Sequence, residues 1–231
     1  MTHTEALVVG EHGPLVFLHK PAGLPVFPLH ARPSEPSLLA RWLGARPCQA
    51  AMAWPRGFEG GIAHRLDNSS SGLVVACTSL DALAALRAQF EAGALRKVYR
   101  LVTSKDVPWD AHSLDLPIAH DRRRRSRMVV QRGGSTPHRG RWYPANTAFE
   151  RLGQGRWTAV IRTGVTHQIR VHAAFVGLAL AGDGLYGGGP LPAGIAAPPG
   201  ADFMLHHQHI SGPGWASPEL EQPLWWGKGL V

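Results

Sequence analysis

The sequence predicts a single domain of the α/β (α+β) class, in which short strands alternate with a few helices. Several runs of four to eight residues are apolar or alternate between apolar and polar side chains, which is typical of strands. Other stretches begin with a helix-capping residue that is followed by apolar residues at helical spacing. No repeat of fixed period and no linker divides the 231 residues. Residues 1–231 are therefore predicted to form one domain.

The strand candidates follow one another along the whole chain. The first two, two apolar runs on either side of Gly13-Pro14, are expected to pair with each other. A continuous apolar run at 73–76 indicates a strand buried on both faces. In the strand at 96–103, Lys97 and Tyr99 are expected to share one face because side chains alternate. The candidates are residues 6–9, 15–18, 73–76, 96–103, 147–152, 157–162 and 203–205.

Three helices are expected. The first is short and spans Ser37 to Ala45. The second begins at Ser79, a good N-cap residue, and ends at Gly93. The third is expected to begin at Thr166 and to end at Gly177, with Ile169, Ala173 and Val176 as its buried stripe. Arg170 lies in the first two turns of the third helix, where a cation opposes the helix dipole, so an anion is expected close to it.

Composition excludes several classes of protein. Hydrophobic residues make up 44% of the chain, yet no apolar run is long enough to span a membrane. The segment Met1 to Glu5 lacks the pattern of a signal peptide, so we expect a soluble, cytoplasmic protein without membrane contacts. Cys48 and Cys77 do not form a disulfide framework, and both are expected to be structural thiols.

The net charge of +8 is concentrated in one segment. His120 to Arg141 contains eight arginines and one aspartate. Such a cluster predicts binding to a polyanion, and arginine rather than lysine favours phosphates and stacked bases. The alternative interpretation is a solvated loop without a partner.

A polar block that precedes the apolar run at 73–76 carries a single carboxylate, Asp67. If this segment is extended, Arg65 and Asp67 point to one side while His64 and Leu66 point to the other. The small residues from Ser69 to Gly72 are typical of a tight turn. Asp67 is therefore either a carboxylate held out for chemistry or part of an ordinary Asx-turn between two strands.

Five separated blocks decide between these alternatives. They are Lys20 to Leu24, His64-Arg65-Leu66-Asp67 with Ser71-Gly72-Leu73, Lys97-Val98-Tyr99, Thr163-Gly164 with Thr166 to His172, and Gly182-Asp183 with Tyr186-Gly187. In content and order they resemble the RluA family of pseudouridine synthases, over about residues 5–210. The resemblance implies the pseudouridine synthase fold, a mixed, mostly antiparallel central sheet flanked by helices with the active cleft across its middle. It also implies a catalytic domain without an S4-like extension, since Lys20-Pro21 comes so early.

The resemblance assigns roles to individual residues. Asp67 corresponds to the catalytic aspartate, Tyr99 to the tyrosine that stacks on the target base, and Arg170 to the arginine that pairs with the aspartate. Arg65 corresponds to the arginine that occupies the space left by the flipped base. The predicted substrate-binding residues are Arg65, His64, Lys97, Arg122, Arg123, Arg124, Arg125 and Arg127.

The chain departs from the family pattern at three positions. Val165 stands where the family usually has arginine, Ser70 where it has threonine, and His207 where it has alanine. None of these is among the four central residues. The departures are therefore expected to affect the choice of RNA more than the chemistry.

The implied reaction explains the residue types. Formation of pseudouridine breaks the bond between the sugar and a ring nitrogen, turns the uracil, and rejoins it through carbon. Neither a cofactor nor a metal is expected, because no electrons are transferred. A carboxylate can act as a nucleophile or remove a sugar proton as a base, and the sequence leaves both routes open. The expected partner is ribosomal or transfer RNA, and the expected state is a monomer.

Two other functions compete with this interpretation. A non-catalytic RNA-binding module would explain the arginine cluster, but not Asp67, Tyr99 and Arg170 together. A metal hydrolase is suggested by His206-His207-Gln208-His209, although no carboxylate is interleaved at a recognisable ligand spacing.

Overall fold

A computed structural model of the chain describes residues 7–28 and 34–227. Position 6 of the first predicted strand lies outside these residues. Within them, twelve strands form one large sheet and one small sheet. The strands are β1 (Val8–His12), β2 (Leu15–Lys20), β3 (Ser71–Cys77), β4 (Arg96–Val102), β5 (Ala111–Asp115), β6 (Ile118–Asp121), β7 (Met128–Val130), β8 (His138–Tyr143), β9 (Asn146–Gly153), β10 (Arg156–Ile161), β11 (Leu205–Gly212) and β12 (Trp215–Ala216).

The three predicted helices are present. They are α1 (Leu38–Ala45), α2 (Leu80–Glu91) and α3 (Gln168–Phe175). The hydroxyl of Ser37 accepts a hydrogen bond from the amide of Ala40, and Ser79 caps α2 in the same way through Ala82. These two caps confirm the starts that the sequence predicted for α1 and α2. In the described part of the chain, no helix is long and apolar enough to cross a membrane.

The large sheet has the order β1-β2-β3-β11-β4-β10-β9-β5, with β12 paired to β11. Neighbouring strands of the described sheet are antiparallel except β3 and β11, which are parallel. This topology confirms the predicted mixed, mostly antiparallel sheet. Asp67 lies in the loop before β3, and Tyr99 lies on β4. Only β11 separates these two strands in the described sheet.

The core lies on both faces of the sheet, because side chains along β3 alternate between two clusters. Val74 and Ala76 pack with residues of α1 and α3, whereas Leu73, Val75 and Cys77 pack with α2. All seven residues of β3 are buried, as the apolar run predicted. The helices therefore flank the sheet, and α3 lies on the face to which Tyr99 also belongs.

Gly72 shows how closely β11 approaches β3. Its φ is +117°, and a Cβ at this position would lie 2.2 Å from the carbonyl oxygen of His207. Only glycine therefore fits at this position. Gly72, which the sequence analysis included in a tight turn, allows His206 and His207 to pair with Ser71 and Gly72.

The small sheet, in the order β7-β6-β8, holds the arginine-rich segment. Ile118, Met128 and Val130 pack with Val171 of α3 and with Tyr186 in a separate core cluster. The arginines from 122 to 125 form an exposed turn between β6 and β7. The sequence predicted the charge of this segment but none of its strands, which are short and partly polar.

Candidate active site

The Asp67 loop is a hydrogen-bonded turn at the entrance to β3. The amide of Ser70 donates to the carbonyl oxygen of Asp67 over 3.0 Å, and the amide of Gly23 donates to that of Asn68 over 2.8 Å. Lys20, which is completely buried, also donates to Asn68 over 3.0 Å, and to Leu24 over 2.7 Å. Burial lowers the pKa of Lys20 to about 7, against the opposing effect of Asp67. The Lys20 to Leu24 block therefore stabilises the Asp67 loop through hydrogen bonds to the backbone of Asn68.

Arg170 joins two carboxylates from distant parts of the chain. Its Nη1 donates to Oδ2 of Asp67 over 2.9 Å, while Nε and Nη2 donate to the two oxygens of Asp183 over 2.7 and 2.9 Å. Arg170 and Asp183 are buried, and Asp67 keeps 24% of its side chain exposed. Burial acts to lower the pKa of Arg170, but the two carboxylates outweigh it and raise the pKa. The anion expected near Arg170 is thus a pair of carboxylates.

The start of α3 differs from the prediction. Thr166 was expected to be the N-cap, but the helix begins at Gln168 and His167 occupies the cap position with φ 56°. The N-cap residue makes no side-chain capping bond, and Oε1 of Gln168 instead accepts from the amide of Val165 and the hydroxyl of Thr163, which ties the start of the helix to the preceding loop. The left-handed backbone at His167 shifts the helix start by one residue. It brings the imidazole toward Asp67, with 3.8 Å between Nε2 and Oδ2.

Asp67 and Tyr99 line the same cavity, which has a volume of about 330 Å³. The Tyr99 ring is 7% exposed and stacks on His207 with 4.4 Å between the ring centres and 16° between the planes. Burial raises the pKa of Tyr99, so its hydroxyl stays protonated at neutral pH. His207, one of the departures from the family pattern, therefore packs against one face of the Tyr99 ring.

The other residues predicted to bind substrate near Asp67 also line this cavity. His64 accepts a hydrogen bond from the amide of Val75 over 3.1 Å, and burial lowers its pKa to about 3. Lys97 donates to the carbonyl oxygen of Thr163 over 2.6 Å, and burial lowers its pKa to about 8. Arg65 is exposed at the cavity wall. His64 and Lys97 are thus tied to the backbone, while Arg65 is accessible to a ligand.

The segment from His120 to Arg141, called the arginine segment below, borders a second, larger cavity of about 910 Å³. Arg122, Arg123, Arg127 and Arg132 line it, together with apolar residues of α3. Asp121, the one acid of the segment, accepts hydrogen bonds from the amides of residues 123 and 124. These bonds stabilise the turn, and the arginine side chains at 122–125 are exposed to solvent. Arg124 and Arg125 are exposed at its tip.

The histidine cluster that suggested a metal hydrolase is divided among separate partners. Nδ1 of His206 bonds to the hydroxyl of Ser71, that of His207 to the carbonyl oxygen of Leu73, and that of His209 to the hydroxyl of Ser217. Across residues 7–28 and 34–227, no group of three or more His, Cys, Asp or Glu side chains is arranged to hold a metal ion. The three histidines of β11 are therefore each engaged in a different hydrogen bond.

Sequence reasoning did not assign roles to three residues of this site. Asp183 and Tyr186 lie in the Gly182 to Gly187 block that contributed to the family resemblance, but no chemistry was attached to them. His167 lies in the Thr166 to His172 block, and no role was attached to it either. The signal that could have found Asp183 was the buried arginine itself, because one carboxylate does not satisfy all five donors of a guanidinium.

Comparison with known proteins identifies the family to which this fold and site belong. A family model described as RNA pseudouridylate synthase matches residues 14–175. The chain belongs to this family. The match confirms the resemblance that the five sequence blocks indicated.

Curated relatives agree with this assignment. The ribosomal large subunit pseudouridine synthase D of Neisseria meningitidis is 34% identical over 188 residues, which cover 81% of this chain and 47% of the relative. The protein of the same name from Pseudomonas aeruginosa is 34% identical over 185 residues, 80% of this chain and 54% of the relative. The chain thus spans about half the length of these relatives.

The fold is also found in solved structures. Human RNA pseudouridylate synthase domain containing 4 superposes with a TM-score of 0.65 at 20% identity, covering 95% of this chain and 89% of the other. Human RNA pseudouridylate synthase domain containing 1 gives a TM-score of 0.67 at 19% identity, covering 94% and 82%. The predicted pseudouridine synthase fold is therefore confirmed.

Proposed function

We propose that this protein is an RNA pseudouridine synthase in which Asp67 is the catalytic carboxylate. The observation that carries the proposal is the hydrogen bond from the buried Arg170 to Asp67 at the edge of a cavity that also contains Tyr99. Arg170 balances the charge of the carboxylate and fixes its direction. A cavity of about 330 Å³ is of the size that suits a small ligand group such as a flipped base.

The arrangement supports two chemical routes. Asp67 as a nucleophile would form a covalent bond to the sugar or the ring, and Asp67 as a base would remove a proton from the sugar. In both routes the uracil must leave its stack, which costs a few kcal/mol. Arg65 at the cavity wall is suited to occupying the space that the base leaves, and Tyr99 offers a flat face to the base.

Replacing Tyr99 by Phe should leave most of the activity intact. The ring stacks on His207 and is almost fully buried, so a platform for the base is its best-supported role, and phenylalanine keeps that platform. Tyr99→Leu, which keeps an apolar side chain but removes the aromatic face, should lower kcat/KM by about tenfold or more, since base stacking contributes roughly 1–3 kcal/mol per base. A Phe variant as inactive as the Leu variant would instead assign proton transfer to the hydroxyl.

The arginine segment is proposed to hold RNA through its phosphates, because consecutive exposed arginines give dense charge with little fixed geometry. Arg122→Ala combined with Arg123→Ala should weaken RNA binding and flatten the plot of log K against log salt by about 0.7 to 0.9 per lost phosphate contact. The matched control is Arg41→Ala with Lys105→Ala, which removes the same charge at exposed positions outside both cavities. A salt slope that changes equally in both variants would mean that only net charge matters.

The names of the curated relatives favour large-subunit ribosomal RNA as the substrate, with transfer RNA as the alternative. A monomeric state, a cytoplasmic location and activity without metal or cofactor are part of the same proposal. Mapping pseudouridines in cells with and without the gene would identify the RNA and the uridine. Purified protein that binds RNA but forms no pseudouridine in any of the mapped RNAs would favour the non-catalytic binding module.

A further inference from the structure

His167 has an unusual backbone. It is the one non-glycine residue with positive φ in the described part of the chain, at φ 56° and ψ 15°. A side chain in this left-handed conformation is strained, and such strain persists where the surroundings fix it. Although His167 occupies the N-cap position of α3, its side chain makes no capping hydrogen bond. The conformation instead places the imidazole between Asp67 and Tyr186, with Nδ1 2.9 Å from the tyrosine hydroxyl.

The hydrogen bonds around Tyr186 indicate which imidazole nitrogen carries the proton. The amide of Met128 donates to the Tyr186 oxygen over 2.8 Å, so that oxygen is already an acceptor. Burial raises the pKa of Tyr186 to about 12, which keeps its hydroxyl hydrogen in place at neutral pH. Within the described residues, the hydrogen-bond partner that remains for this hydroxyl hydrogen is Nδ1 of His167. The imidazole hydrogen then sits on Nε2, the nitrogen that faces Asp67.

The charge state of His167 agrees with this arrangement. Burial lowers its pKa, Asp67 and Asp183 act in the opposite direction, and Arg170 and Arg65 add to the lowering. The net effect is a pKa below the ordinary value of histidine, so the ring is neutral near pH 7. A neutral imidazole that accepts at Nδ1 and donates at Nε2 has a fixed polarity toward the carboxylate.

We propose that His167 is a positioning residue for Asp67, and that the Tyr186 hydroxyl fixes its tautomer. The Arg170 and His167 contacts to the carboxylate are both at Oδ2, at 2.9 and 3.8 Å. The hydrogen bond from Arg170 fixes Oδ2, and Nε2 of His167 faces the same oxygen beyond hydrogen-bond distance, so the two groups together orient the carboxylate and leave Oδ1 for the reacting sugar or base. This inference rests on the proposed catalytic role of Asp67.

Tyr186 also connects the site to the arginine segment. The guanidinium groups of Arg170 and Arg127 both lie over its ring, at 5.1 and 5.7 Å from the ring centre. Met128, whose amide bonds to the Tyr186 hydroxyl, is the first residue of β7 and follows the arginine turn directly. Two hydrogen bonds, from Met128 to Tyr186 and between Tyr186 and His167, thus link the imidazole to the strand that follows the turn proposed to hold RNA.

Substitutions at His167 separate positioning from folding. Asparagine tolerates a left-handed backbone and its Oδ1 can accept from Tyr186, but it has no counterpart of Nε2. His167→Asn should therefore lower kcat by about 10- to 100-fold, the range for loss of a supporting contact, with unchanged KM, RNA affinity and melting temperature. His167→Gln, whose amide reaches the Nε2 position, should recover part of the kcat. A loss confined to KM or to melting temperature, or full activity in the Asn variant, would overturn the proposal.

Tyr186→Phe tests the second half of the proposal. It removes only the hydroxyl and keeps the ring that both arginines contact. If Tyr186 acts through His167, the Phe substitution should lower kcat in the parent but have little further effect in the His167→Asn background. Losses that multiply in the double variant would show independent roles and would refute the linkage.

A measurement on RNA-free protein keeps this inference distinct from the proposed function. Nitrogen-15 spectra of histidine-labelled protein, with His167 assigned from the Asn variant, should show a neutral ring with its hydrogen on Nε2 at pH 7, and a changed tautomer ratio in Tyr186→Phe. A ring protonated on Nδ1, or charged at pH 7, would contradict the inference whatever the activity. Protein with the expected spectrum but no pseudouridine formation would instead contradict the proposed function.

Discussion

Asp67→Asn should abolish pseudouridine formation, by at least about 10³-fold, while the variant still folds and binds RNA. Asparagine has the size of aspartate and keeps a carbonyl oxygen for Arg170, but it is neither a nucleophile nor a base. The loop should survive the change because its turn depends on the backbone bond between Asp67 and Ser70 and on Lys20. Conversion of a uridine-containing substrate, RNA binding and melting temperature should be measured on the same preparation.

The matched control is Asp81→Asn, an equivalent substitution at an exposed position in the first turn of α2. It should convert uridine at the parental rate and melt within a degree or two of the parent. Asp67→Asn that converts uridine at the parental rate would falsify the site assignment as a whole, because Arg170, Tyr99 and His167 all receive their roles from that carboxylate.

Arg170→Ala should abolish activity and also destabilise the fold, by about 3–5 kcal/mol. The reason is Asp183, which is 1% exposed and receives two of the arginine's hydrogen bonds. Without Arg170 a buried carboxylate loses its charge partner. The guanidinium also lies 4.2 Å from the centre of the Phe203 ring, so packing is lost as well. Urea unfolding followed by tryptophan fluorescence measures the change.

A double variant separates the two consequences. Arg170→Met with Asp183→Asn replaces the buried charges by an apolar and a neutral polar side chain, and should recover most of the stability. It should remain inactive, because Asp67 still lacks its donor. Stability unchanged in Arg170→Ala, or activity restored in the double variant, would show that the arginine is not the link between the two carboxylates.

The sequence was most informative where a functional group and its supporting backbone lie in one short block. Asp67 precedes an apolar strand and follows a polar turn, and Tyr99 lies in an alternating strand, so both could be placed before their neighbours were known. The starts of α1 and α2 could also be predicted, because an N-cap serine bonds to an amide only three positions further along the chain.

What the sequence did not predict depends on contacts between distant segments. Three such contacts join separate blocks. Arg170 donates to Asp183, Tyr99 stacks on His207, and the Tyr186 hydroxyl bonds to His167. The N-cap at Thr166 was wrong because local capping preference was outweighed by the bonds that Gln168 makes to Thr163 and Val165. The strands of the small sheet, of three to six residues, were missed because short segments with arginines in or beside them carry no clear period of two.

Strand β11 comes late in the chain, yet it lies between β3 and β4 at the centre of the sheet. Its residues follow the segment that the family model matches. During translation the Asp67 loop and the Tyr99 strand are both made long before it, but neither has its final neighbour until residues 205–212 have left the ribosome. Until then β3 and β4 present unpaired edges, which are prone to pair with other chains. The site is therefore completed late, and a chain whose synthesis stops before Gly212 is expected to be a substrate for chaperones and proteases rather than a partly active enzyme.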